Sequence, residues 1–199
     1  VKSWYELGAE RVVLGRELSF EEIGKRVAFI PQQAFLFSGT IADNLRYGKE
    51  NATDAELWRA LEIAQAKDFV EKLPHGLYSM ISQNGTNLSG GQKQRLCIAR
   101  AIVKEALFYM FDDSFSALDF ATDARLRAAL KENLKNSSIL IVAQRVGTII
   151  DADKIIVLDK GQVVGTGTHE ELLESNEIYR EVYETQTKGG GDFDERAGE

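Results

Sequence analysis

Leu107-Phe108-Tyr109-Met110-Phe111-Asp112-Asp113 is an unbroken apolar run that ends in two carboxylates. A run apolar at every position, rather than at alternate ones, predicts a strand covered on both faces, as in a parallel sheet. Parallel neighbours need crossover helices, and the sequence supplies them. Residues 92–104 place Leu96, Ala99, Ile102 and Val103 on one helical face, and 121–134 read as a helix after the run. Ile139-Leu140-Ile141-Val142 is a second fully apolar strand, and Val27-Ala28-Phe29-Ile30, stopped by Pro31, is a third. Strands alternating with helices predict an α/β fold with a mostly parallel sheet.

Working outward, residues 12–14 read as a short strand closed by Gly15. Ser19 and Glu22, Thr53 and Glu56, and Thr168 and Glu171 each have capping-box spacing. They open helices after Ser19, over 53–70 and over 168–174. Pro74-His75-Gly76 breaks the chain, and 81–91 form a polar, glycine-bearing loop. Residues 154–158 and 162–164 flank Asp159-Lys160-Gly161 as a hairpin. A last helix spans 178–185, and the tail from Lys188 is charged, glycine-rich and expected to be disordered.

Composition narrows the function classes. Acids outnumber bases 31 to 24, for a net charge of −7. An acidic chain with no long basic block is a poor candidate for a nucleic-acid binder that works by phosphate neutralisation. A single cysteine, Cys97, excludes an internal disulfide framework and a multi-thiolate metal site. His75 and His169 leave little for a zinc site; His75 sits in a Pro-Gly loop, and His169 reads as a surface residue at a helix start. Cys97 reads as a small buried residue, Trp4, Tyr5 and Trp58 as packing residues, and Asp151 and Asp153 as turn residues. No apolar run approaches the roughly 18 residues of a spanning helix, and no secretory signal is visible. The chain begins at Val1, which suggests that a preceding piece is missing.

The chemistry concentrates in two segments. In Leu88-Ser89-Gly90-Gly91-Gln92, two adjacent glycines let backbone approach a ligand closely, directly ahead of a helix whose free N–H groups and dipole suit a phosphate. An isolated Gly-Gly is usually a plain turn; this pentapeptide arises by chance with probability on the order of 10⁻⁴ to 10⁻³ in such a chain. The run ending at Asp112-Asp113 puts carboxylates at the C-terminal edge of a parallel sheet, where open α/β folds bind ligands. In nucleoside-triphosphate enzymes such an aspartate organises Mg²⁺, although many strands end in Asp as a turn residue.

Together these segments resemble the nucleotide-binding domain of ABC transporters, over almost the whole chain. Residues 88–92 match the signature motif, 108–112 match Walker B, and Ser116-Ala117-Leu118-Asp119 matches the D-loop. Pro31-Gln32 is similar to the Q-loop, whose glutamine contacts Mg²⁺ and the transport domain. Phe35-Leu36-Phe37-Ser38-Gly39-Thr40-Ile41 is similar to the exporter stretch that follows it, and 87–100 to the run around the signature. The resemblance implies a partial P-loop NTPase fold: a sheet lobe over 1–35 and 104–187, a helical subdomain over 36–103, and a flexible tail over 188–199. It implies ATP and Mg²⁺ as cofactors of the complete protein, with Gln32 and Asp112 as Mg²⁺ contacts. Leu88, Ser89, Gly90, Gly91, Gln92 and Asp119 become nucleotide-site residues. The implied partners are a second ABC subunit in a head-to-tail dimer and a transmembrane domain of the same chain, and the implied location is the cytoplasmic face of the plasma membrane, the bacterial inner membrane.

Three departures qualify the resemblance. No G-x-x-x-x-G-K-[ST] motif is present: Gly24-Lys25 is followed by Arg26, and Gly48-Lys49 by Glu50. The chain therefore reads as starting after the Walker A helix, and on its own is expected to be poorly stable and to lack Walker-type ATP binding. Asp113 stands where the family has its catalytic glutamate, one methylene short. Gln144, in Val142-Ala143-Gln144-Arg145, stands where the family has its switch histidine; an amide can hydrogen-bond to a phosphate but cannot take up a proton. Both changes together resemble the degenerate-site half of a heterodimeric ABC multidrug exporter. Such a half would bind ATP on its own Walker side, hydrolyse it slowly, and complete its partner's site through the signature. The rivals are a truncated docking or regulatory module, or the product of a decayed gene, and a non-membrane ABC ATPase; the exporter-like stretch 35–41 speaks against the last.

Overall fold

The computed structural model describes residues 19–189. The expected strand at 12–14, Trp4, Tyr5 and residues 190–199 lie outside them. In chain order the elements are α1 (Phe20–Arg26), β1 (Val27–Ile30), β2 (Gly39–Thr40), α2 (Ile41–Arg46), α3 (Asp54–Ile63), α4 (Lys67–Glu71) and β3 (Met80–Ile81). Then follow α5 (Gly90–Val103), β4 (Phe108–Asp112), α6 (Phe120–Asn133), β5 (Ser138–Val142) and α7 (Val146–Ile149). The chain closes with β6 (Ile155–Asp159), β7 (Gln162–Gly167), α8 (His169–Ser175) and α9 (Glu177–Gly189).

The central sheet has the order β1-β4-β5, all parallel, with Ile30 beside Phe111 and Phe111 beside Ile141. The expected α/β class with a parallel sheet is what the chain adopts. The expectation of strands covered on both faces is corrected. Along β1 and β4, Ala28, Ile30, Tyr109 and Phe111 are buried, while Phe29 is 55% exposed on the opposite face, and on β5 Val142 is 50% exposed. An unbroken apolar run marks a strand able to be buried twice; within residues 19–189 one face is covered, by α5 and α6 among others. β2 and β3 form a two-stranded antiparallel ladder, and β6 and β7 another. The latter turns through Lys160 and Gly161, both at positive φ, as a two-residue hairpin requires.

Three capping boxes read from sequence are present, at Ser19–Glu22, Thr53–Glu56 and Thr168–Glu171. The single helix expected over 53–70 is two: α3 stops at Ile63, Gln65 takes φ 56°, and α4 restarts at Lys67. The guanidinium of Arg95 on α5 fixes that break by donating to the Gln65 carbonyl at 2.6 Å. The last helix runs past its expected end to Gly189, so the start of the expected tail is helical. His169 is corrected from surface to core: it is 8% exposed, its Nδ1 lies 2.8 Å from the Tyr179 hydroxyl, and its ring meets Tyr183 edge-on.

Two hydrophobic clusters result among the described residues. The larger joins the sheet to the helices, from Ala28 through Leu45, Leu61, Ile98 and Phe111 to Leu130. The smaller, Val146, Ile155, Leu172 and Tyr179, holds the β6–β7 hairpin to α8 and α9. Cys97 is buried as expected, and burial pushes its thiol pKa up. The loop after β1 is pinned by buried Asn44, which accepts from the Phe37 N–H at 2.9 Å and donates to the carbonyls of Phe37 and Thr40 at 2.9 and 3.0 Å. Asn44→Leu strands these backbone groups; we expect a loss of about 2 kcal/mol of stability, measured by chemical denaturation, and no loss would show that water replaces the amide.

Candidate functional site

Parallel register brings the carboxyl ends of three strands to one edge. Gln32 lies two residues past β1, Asp113 one past β4 and Gln144 two past β5. The Gln32 side-chain amide donates to Asp113 Oδ2 at 3.0 Å, and the Gln144 amide donates to the same oxygen at 3.4 Å. Asp113 takes φ 42°, a left-handed conformation uncommon outside glycine. Its own N–H donates to the Val142 carbonyl at 2.8 Å, extending the β4–β5 ladder by one bond and fixing that turn. Asp112, the last residue of β4, is half-buried beside Val142 of β5.

Buried hydroxyls and amides hold these loops. Ser114, fully buried, donates to the Ile30 carbonyl at 2.8 Å and so ties the turn after β4 to the end of β1. Gln94 on α5 is buried and donates to the Pro31 carbonyl at 3.2 Å, which couples the helix behind the glycine pair to the backbone before Gln32. Ser116 donates to the Asp113 carbonyl at 2.8 Å, and the Arg145 guanidinium lies over the Phe120 ring. None of these four was singled out as a site residue in the sequence; for Ser116 the local cue was its place at the start of the D-loop match.

The glycine-rich segment is a separate corner. Ser89 is the N-cap of α5: its hydroxyl accepts from the Gln92 N–H at 3.2 Å, and the Gln92 carboxamide accepts from the Ser89 N–H at 2.9 Å. Ser89 and Gly90 are exposed, and a side chain at Gly90 would meet nothing within 4 Å, so the helix start is open to approach. A Cβ at Gly91 would stand 3.3 Å from the Ala117 carbonyl oxygen and 3.7 Å from Leu118, so that glycine lets the helix pack on 117–118. Leu88 is half-buried against the main core. Asp119 closes the same corner as N-cap of α6; its carboxylate accepts from the Thr122 N–H at 2.9 Å, which holds its pKa below the usual range. The structure thus joins Gln32, Asp113 and Gln144 through bonds, and joins Gly91 to the segment leading to Asp119.

The donor set can be tested against a magnesium nucleotide. The Asp112 carboxylate and the Gln32 carboxamide oxygen, left free when its nitrogen serves Asp113, are the hard oxygen ligands that Mg²⁺ takes one or two at a time. Among the described residues no group of three His, Cys, Asp or Glu side chains gathers as a self-sufficient metal cage. Two such oxygens at one sheet edge are what Mg²⁺ takes from a protein when substrate phosphates supply other ligands, and the residues fit the group.

The model of the family described as "ABC transporter" matches residues 7–116. The chain belongs to the ABC transporter family. It is 45% identical over 175 residues to an uncharacterized ABC transporter ATP-binding protein of Mycobacterium bovis, across 86% of this chain and 30% of that protein. It is 40% identical over 190 residues to an ATP-dependent lipid A-core flippase of Ralstonia nicotianae, across 92% of this chain and 32% of the relative. A solved bacterial Atm1-family ABC exporter with ATP bound superposes with a TM-score of 0.80 at 34% identity, over 84% of this chain and 29% of that one. The chain spans about 30% of the length of these ABC relatives. The fold is that of an ABC transporter ATP-binding domain, a P-loop NTPase fold, as the motifs implied.

The cap at Asp119 can be separated from its charge. Asp119→Ala removes the acceptor for the Thr122 N–H and should lower the urea midpoint; Asp119→Asn, an equally good cap, should lower it much less. Urea denaturation of the two variants checks this, and equal losses would mean that charge, not capping, holds the corner.

Proposed function

We propose that this chain is the ATP-binding domain of an ABC exporter whose own Walker side is a degenerate ATP site. The observation that carries the reading is the Asp113 carboxylate, shorter than glutamate and engaged at one oxygen by two amide donors. A general base must present a free lone pair to the attacking water within hydrogen-bond reach. Here the bonds from Gln32 and Gln144 hold the carboxylate through Oδ2 and draw on its charge, which leaves Oδ1 to meet the water from a side chain one methylene shorter. Misplacement of about 1 Å can cost roughly a hundredfold in rate. Gln144 can donate to a terminal phosphate oxygen yet neither carries charge nor takes a proton. The side therefore binds and orients without efficient proton transfer.

In this reading Asp112 and Gln32 hold Mg²⁺, which when bound neutralises phosphate charge. Leu88, Ser89, Gly90, Gly91 and Gln92 serve the other subunit's nucleotide: the exposed start of α5 offers backbone N–H groups and the positive end of a helix dipole. Asp119 and its neighbours face that same dimer boundary. In the same reading residues 36–103 form the helical subdomain, set between sheet-lobe residues 19–35 and 104–187 among those described. Between them an open groove of about 310 Å³ is lined by Phe29, Phe35, Phe37, Tyr47 and Arg100, with Phe37 stacked on Tyr47 at 4.5 Å. An exposed aromatic groove of this kind supports docking of the transmembrane domain, with the protein at the cytoplasmic face of a bacterial plasma membrane. No helix among the described residues is long and apolar enough to cross a membrane. The phosphate-cradling P-loop motif is not in the 199-residue sequence, so nucleotide binding is proposed for the full polypeptide. The similar solved structure named as an Atm1-family ABC exporter supports export as the direction.

Asp113→Glu in the complete heterodimer should raise steady-state ATP turnover, by up to about a hundredfold at this site. Fast hydrolysis at this site that Asp113→Ala leaves unchanged would contradict the reading.

A further inference from the structure

The loop that carries Gln144 is held from behind by a residue far along the chain. Gln186, in the last turns of α9, accepts from the Val146 N–H through Oε1 at 2.9 Å. Its Nε2 donates to the Gln144 carbonyl at 2.8 Å. One carboxamide thus satisfies both backbone groups that flank Arg145, and only one orientation of the amide can do so, because one partner is a donor and the other an acceptor. The local structure needs this help. α7 starts at Val146 and its N-cap, Arg145, provides no side-chain acceptor for the free N–H groups of the first turn. The helix is four residues long and cannot fix the preceding loop by itself. α9, by contrast, is anchored: Tyr179 is buried with His169, Val146, Ile155 and Leu172.

We infer that Gln186 is a positioning residue that clamps the 144–146 backbone so that the Gln144 amide faces Asp113 and the nucleotide's terminal phosphate. The mechanical order is explicit. The smaller hydrophobic cluster fixes α9, α9 presents Gln186, Gln186 fixes the carbonyl of residue 144 and the N–H of residue 146, and the Gln144 side chain then has one reach, to Asp113 Oδ2. The C-terminal helix thereby sets how the site distinguishes ATP from ADP, since Gln144 bears on the phosphate that only ATP has. This last step rests on the role given to Gln144 above; the clamp itself does not.

The test uses the complete transporter with three variants: Gln186→Met, which keeps the length and removes both bonds; Gln186→Glu, which keeps the acceptor for Val146; and Gln144→Ala. Hydrogen exchange over 144–148 and the separate affinities for ATP and ADP are read in each. Gln186→Met should speed exchange about five- to tenfold, and Gln186→Glu should restore slow exchange at Val146. Gln186→Met should lower the ATP-over-ADP preference in the same sense as Gln144→Ala, and the two should not add when combined. A general loss of structure would instead weaken ATP and ADP alike. Unchanged exchange in Gln186→Met overturns the clamp. A preference that falls in Gln144→Ala yet persists in Gln186→Met overturns its link to the site. If Gln144→Ala itself leaves the preference intact, the role given to Gln144 fails, and the exchange result alone decides the clamp.

Discussion

Two side-chain amides meeting on one carboxylate oxygen require three strand ends held within a few ångströms of each other, and parallel register is what holds them. β1, β4 and β5 run in one direction with Ile30, Phe111 and Ile141 side by side. Each strand then releases its chain at the same edge, and Gln32, Asp113 and Gln144 follow within two residues. Shift one strand by a residue and its buried side chains would change face, while its site residue would miss the carboxylate. The buried positions of β1 and β4 thus fix the site as well as the core. The Ser114 bond to the Ile30 carbonyl and the Asp113 bond to the Val142 carbonyl act along that same edge.

The second corner depends on a different constraint, backbone contact. Gly91 lets α5 press onto the Ala117 carbonyl, while Ser89 and Asp119 cap α5 and α6 from the two sides of that contact. Gln94, one turn into α5, reaches the Pro31 carbonyl. The helix that begins at the glycine pair is therefore in bonded contact with the loop carrying Gln32. In the head-to-tail pairing proposed here, where the glycine-rich segment and the strand-edge carboxylates would serve different nucleotides, such a contact would give the two corners a rigid common body.

Much of this was legible in the sequence because it is carried by local signals. The apolar runs at 27–30, 107–111 and 139–142 mark the three strands, and S/T-x-x-E spacings mark helix starts that the structure caps as expected. The glycine pair and the strand-terminal aspartates mark the two corners proposed as the site. What was not legible depends on tertiary partners. The break at Gln65 requires Arg95, thirty residues away, to hold its carbonyl. His169 looked like a surface residue because its helix is polar in sequence; only the return of α9 buries it under Tyr179 and Tyr183. Gln186 had no cue at all, since its partners are backbone groups forty residues upstream.

The central claim is that the site containing Asp113 holds nucleotide without efficient hydrolysis. The most direct measurement is to run the complete transporter through many turnovers with γ-labelled ATP, quench, and determine which nucleotide stays bound at the Asp113 site. Intact labelled ATP retained there, while the other site releases phosphate, is the result this account predicts. ADP at the Asp113 site, formed at the rate of overall turnover, would contradict it.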